Sequence, residues 1–79
     1  MPMTEREKEW AGKAARYLKV ELKRAGVTYA ELAKRLNEHG LEETEDSITS
    51  KLGRGTFSAT FLFACLAVLG IAAIALADL

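Results

Sequence analysis

The chain has 79 residues, 49% of them hydrophobic and 28% charged, with eleven basic and eleven acidic side chains and no net charge. That length suits one small domain near the lower limit for a self-sufficient core, and the balanced charge lacks the basic surplus of most nucleic-acid binders. A single cysteine, Cys65, excludes an intrachain disulfide, and no Cys/His spacing of a metal site is present.

Charge distribution says more than the sum. Lys13, Arg16, Lys19, Lys23 and Arg24 crowd one segment, Glu38 to Asp46 holds five acids and no base, and beyond Arg54 only Asp78 is charged. The chain thus has a basic first third, an acidic middle and an apolar end. No signal-peptide pattern interrupts the charged first twenty-four residues, so the expected compartment is the cytoplasm.

Residues 1–4 read as a flexible start to a single domain spanning 1–79. The first helix is expected from about Glu5 to Ala25. Trp10, Ala14, Tyr17, Leu18, Leu22 and Ala25 fall within one arc at about 100° per residue, with Lys13, Arg16, Lys19 and Lys23 opposite. Glu21 projects into the apolar arc, where it pairs with Arg24 at the surface or reaches the start of the second helix.

Gly26 ends this helix. Thr28 and Glu31 have capping-box spacing, which opens a second helix from Tyr29 to about His39. Leu32, Ala33 and Leu36 form its buried face, Gly40 stops it, and Leu41 plugs the core beyond the turn. Thr44 is a plausible N-cap for a third helix, with Glu45 and Asp46 suiting its positive end. Ile48 and Leu52 are its inward i, i+4 anchors, and Gly53-Arg54-Gly55 closes it.

Ser58 caps a fourth helix, with Phe57 placed to staple onto Leu62, and Gly70 stops it after Leu69. Phe61, Leu62, Cys65, Leu66 and Leu69 make one stripe, yet Phe63, Ala64 and Ala67 keep the other sides apolar too. A helix apolar all round is buried all round, and one small domain cannot surround it. Phe63, Ala67, Ile71, Ile74 and Leu76 are therefore the expected homodimer interface, with 71–79 either a fifth helix or a short strand. Gly55 to Ala77 carries no charge, the length of a membrane span. The cap and stop residues within it, and the need of the other helices for a fourth, make a membrane anchor the weaker reading.

The run Leu32-Ala33, Leu36, Ile48, Ser50 and Gly55, on two short helices around a glycine-containing turn, resembles the helix-turn-helix of phage-repressor/Cro-like DNA-binding domains. The stretch Leu18-Lys19, Glu21-Leu22-Lys23-Arg24, Gly26-Val27-Thr28-Tyr29 and Glu31-Leu32-Ala33 is more specifically similar to a family of small bacterial proteins known as a domain of unknown function. The resemblance covers roughly Trp10 to Ile71. It implies an all-α, four- to five-helix, repressor-like helix-turn-helix domain whose third helix enters the DNA major groove. The segment from Leu36 to Ile48 is longer and more acidic than the repressor pattern.

With Ile48 and Leu52 inward, Asp46, Ser47, Ser50 and Arg54 face outward and Thr49 and Lys51 flank them. Ser47, Thr49, Ser50, Lys51 and Arg54 are sensible contacts to base edges and phosphates, and the Tyr29 hydroxyl could add a phosphate contact. The helix 1 stripe of Lys13, Arg16, Lys19 and Lys23 could follow the phosphate backbone. The expected function is a small DNA-binding regulator. The alternative is a helix-turn-helix scaffold for protein association, its acidic turn repelling DNA. No nucleophile–base pair, phosphate loop or apolar carboxylate cluster marks an enzyme. Nothing marks a cofactor, metal or small-molecule ligand, and Cys65 reads as a small buried hydrophobe.

Overall fold

The computed structural model describes residues 2–79. Four α-helices follow one another: α1 (Glu5–Ala25), α2 (Tyr29–Glu38), α3 (Glu45–Arg54) and α4 (Ala59–Val68). A single 3-10 turn (Leu76–Asp78) follows, and the described residues contain no strand. The expected strand or fifth helix over 71–79 is therefore corrected to irregular chain ending in that turn. Of the expected flexible start, Met1 lies outside the described residues, and Thr4 belongs to α1 as its cap.

Each helix begins where a hydroxyl accepts an otherwise unpaired backbone N–H. Thr4 Oγ1 accepts from Glu7 N, Thr28 Oγ1 from Glu31 N, Thr44 Oγ1 from Ser47 N and Ser58 Oγ from Phe61 N, at 3.0–3.1 Å. The box expected at Thr28 is only half made, because the Glu31 carboxylate accepts from Arg35 Nε at 3.2 Å instead. The reciprocal box forms at Thr44, where Ser47 Oγ accepts from Thr44 N at 2.8 Å.

Three helices also end alike. Val27 N donates to Leu22 O, Leu41 N to Leu36 O and Ile71 N to Leu66 O, at 2.9–3.0 Å, each just past a glycine. This closure turns the chain sharply and delivers an apolar residue back to the helix it leaves. Gly55 ends α3 for a second reason besides its φ of 75°. A Cβ built there would lie 3.1 Å from the Ala11 carbonyl oxygen, so α1 and α3 touch backbone to backbone at this crossing.

α2 packs on both α3 and α4, and α1 packs on α3. Leu18 and Leu22 of α1, Leu32 and Leu36 of α2, Ile48 and Leu52 of α3, and Phe61, Cys65 and Leu66 of α4 form one core. Leu62 and Leu69 sit at its margin. Phe57, expected to staple onto Leu62, packs on Phe61, with ring centroids 5.4 Å apart.

Trp10 departs from expectation: it is 57% exposed, with the Lys13 ammonium 4.7 Å from its ring centre. The reason is rotation about the helix axis: it is the neighbouring Ala11 that meets Gly55 at the end of α3, which leaves Trp10 facing out. Burial on α1 is confined to Ala15, Leu18 and Leu22, one position round from the Trp10–Tyr17 arc.

Arg35 ties α2 to α4. Its Nη1 donates to the Val68 carbonyl at 3.3 Å while Nε holds Glu31. A guanidinium thus neutralises the carbonyl end of a helix that has no basic residue in its last turn.

Candidate nucleic-acid interface

α3 is held against α2 by Ile48 and Leu52, which are 0% and 1% exposed. Its open side carries Asp46, Thr49, Ser50 and Arg54, all exposed. Thr49 Oγ1 donates back to the Glu45 carbonyl at 2.9 Å, and Arg54 Nε donates to Thr56 Oγ1 at 3.4 Å. Ser50 forms no side-chain hydrogen bond among the described residues.

Ser47 and Lys51 are engaged inside the molecule. Both converge on Glu43, whose side chain is only 7% exposed. Ser47 Oγ donates to Glu43 Oε1 at 2.7 Å, and Lys51 Nζ donates to Glu43 Oε2. The Lys51 ammonium also lies 4.8 Å from the Phe61 ring centre, so it is flanked by a carboxylate and an aromatic face. Asn37 braces the same corner: its Nδ2 donates to the Ala33 and Glu43 carbonyls at 2.8 and 2.9 Å.

Sequence reasoning missed Glu43 because it sits within an acidic run that reads as a solvated turn. The available signal was spacing: Ser47 and Lys51 stand one turn apart on α3 beside Ile48 and Leu52, and Glu43 precedes Ser47 by four residues, just ahead of the helix.

The two ends of α3 differ in charge. Glu42, Glu45 and Asp46 are exposed around its start, whereas Arg54 stands exposed at its end. Negative side chains suit the amide end of a helix and repel a phosphate brought there.

On α1, Arg16, Lys19 and Lys23 are exposed and Lys13 lies over Trp10. Glu21 pairs with Arg24 at 3.3 Å, the surface arrangement rather than a contact with α2. The structure brings Arg16 and Lys19 together with Lys8 and Arg54 around one cleft of about 320 Å³ between α1 and the end of α3. Gly12, Gly53 and Gly55 also line it, and no carboxylate does. Lys13 and Lys23 lie off this cleft. Tyr29 is half-buried against the core.

The residues expected at a dimer interface divide into two groups. Phe63, Ala67 and Leu76 are exposed, Phe63 at 66% and Leu76 at 75%. Ile71 and Ile74 are half-buried and pack against the core, and both line a groove with Tyr17 and Val20 of the same chain's α1.

Burial, reinforced by the nearby Glu43 carboxylate, pushes the Cys65 thiol up to about 12. Tyr17 is also raised, by burial first and then by Glu21 and Asp78. No group of His, Cys, Asp and Glu among the described residues is arranged to hold a metal ion. Among the described residues no helix is long and apolar enough to cross a membrane.

The architecture is that of a small all-α domain of four helices. Residues 10–74 match the family described as Domain of unknown function (DUF6471), and the chain belongs to that family. No curated protein and no solved structure matches it.

Proposed function

We propose that this is a small DNA-binding protein of repressor-like helix-turn-helix type, acting as a twofold dimer in transcriptional regulation. The observation that carries this reading is the α2–α3 pair. Ile48 and Leu52 seat α3 firmly, leaving Thr49, Ser50 and Arg54 on its open side. Hydroxyl and guanidinium groups on a helix clamped from behind suit contacts to phosphates and base edges.

The test is fluorescence anisotropy of duplex DNA at two salt concentrations. Binding is expected to fall steeply with salt, because phosphate contacts release counterions. Arg54→Ala is expected to weaken binding, and Glu45→Gln with Asp46→Asn to strengthen it. No binding at low salt, even by the neutralised variant, overturns the reading.

A second reading is favoured by the acids around the start of α3 and by the engagement of Ser47 and Lys51 with Glu43. In it the α2–α3 pair associates with a basic protein partner. Neutralising Glu45 and Asp46 then weakens partner binding, opposite in sign to the effect on DNA.

A further inference from the structure

The cleft between α1 and the end of α3 gathers four cations onto one concave surface. Lys8, Arg16 and Lys19 lie along one side of α1, at helical spacings of eight and three residues, and Arg54 faces them from α3. Lys8 forms an exposed ion pair with Glu5 at 3.4 Å. Arg16, Lys19 and Arg54 form no ion pair among the described residues.

We propose that this cleft seats a phosphate group, and, resting on the DNA reading above, that the phosphate belongs to a DNA backbone. Three observations converge. First, the lining side chains carry charge of one sign: even with Lys8 shared with Glu5, the three cations without an ion pair outweigh the roughly half a negative charge of the α3 carbonyl end. Secondly, Gly12 and Gly53 have no side chain and a Cβ at either would meet nothing within 4 Å, so a ligand can approach the backbone there. Thirdly, about 320 Å³ accommodates a phosphodiester with bridging water, since one water occupies about 30 Å³.

The position also answers the electrostatic difficulty of α3. A duplex entering by the start of that helix meets Glu42, Glu45 and Asp46. A strand anchored at the α1 cleft instead brings DNA to the Ser50–Arg54 half.

The experiment compares the full chain with Arg16→Gln/Lys19→Gln, Arg54→Gln and Lys34→Gln. Lys34 is exposed on α2 away from the cleft, so it controls for charge alone. The salt dependence of duplex binding is expected to lose about two units of slope in the double variant and about one in Arg54→Gln, and little in Lys34→Gln. In parallel, inorganic pyrophosphate is titrated while amide shifts are followed by NMR. Gly12, Gly53 and Gly55 are expected to shift saturably in the parent chain and not in the double variant.

DNA binding with an unchanged slope, or with equal losses at Lys34, overturns the cleft and leaves the DNA reading standing. Pyrophosphate shifts at the three glycines without DNA binding retain the phosphate seat and overturn DNA as its source. Absence of both responses overturns both.

Discussion

Lys51 shows how a residue's neighbours decide what its charge is for. Its ammonium serves a carboxylate that is almost wholly removed from water. Removing it leaves Glu43 charged, buried and without its cation, a change that costs about 3–5 kcal/mol when the pair is fully buried and less here because Lys51 is 28% exposed. Lys51→Ala is therefore expected to lower the urea midpoint clearly. Lys51→Met with Glu43→Gln is expected to recover most of the loss, because no uncompensated charge remains. A Lys51→Ala variant as stable as the parent would mean that the pair contributes nothing. Any loss of DNA binding in Lys51→Ala must accordingly be compared at equal folded fraction before it counts as a lost contact.

Cys65 leads to a pH prediction. Its thiol ordinarily titrates near 9.0, and in the folded chain at about 12. Below about 9 both states hold the proton. Between about 9 and about 12 only the folded state does, so stability is full at neutral pH and falls across that window, with a limiting slope of about 1.4 kcal/mol per pH unit. Tyr17, also raised, adds a fall of the same sign above 10.0. Urea midpoints are expected to be lower at pH 10.5 than at pH 8, and Cys65 in the folded chain is expected to resist thiol reagents at pH 8. Equal midpoints would contradict the burial argument.

Among the elements, α2 and α3 contribute their largest buried residues to a common contact. Leu36→Ala and Ile48→Ala, both at sites 0% exposed, are each expected to cost about 2–5 kcal/mol by chemical denaturation. Trp10→Ala, at an exposed site, is expected to cost under about 1 kcal/mol despite removing the larger side chain. A larger loss at Trp10 than at Leu36 would refute the packing. The same contrast explains what could be foreseen. Helix limits were readable because Thr28, Thr44, Ser58, Gly26 and Gly55 are chemical signals that act within a few residues. The face of α1 was readable at Leu18 and Leu22 but not in its first half, where the contact is made by the small Ala11 and Ala15 near Gly55, which add little hydrophobic weight beside Trp10. Nor was the Glu43 corner, which depends on Asn37 and Lys51 arriving from two helices. The basic cleft joins Arg16 and Lys19 to Arg54 across a crossing that spacing along either helix cannot reveal.

For the whole molecule, the charge-free stretch from Gly55 to Ala77 is only partly used within one chain. Ile71 and Ile74 find cover on α1, whereas Phe63, Ala67 and Leu76 do not. This leaves Phe63 flanked by small residues on α4, a surface suited to a second copy of the same helix. A stable dimer buries about 1,200–2,000 Å² in total, and the outward side of α4 with the neighbouring tail is the surface available to supply it. The parent chain is expected to be dimeric at micromolar concentration by light scattering, and Phe63→Glu to be monomeric and still helical. A monomeric parent would remove the dimer from the proposal.

The return of Ile71 and Ile74 to α1 also sets an order of assembly. Joining Leu36 to Ile48 closes a loop of about a dozen residues, whereas joining Tyr17 to Ile74 closes one about five times longer, at roughly 1.4 kcal/mol more chain entropy. The α2–α3 corner can thus form from a short stretch of chain, while the α1 groove waits for a distant segment that α4 brings to it through the bond from Ile71 N to Leu66 O. Beyond Ile71 the described tail has only a 3-10 turn and no backbone hydrogen bond to α1, so its amides are expected to exchange before those of α2 and α3.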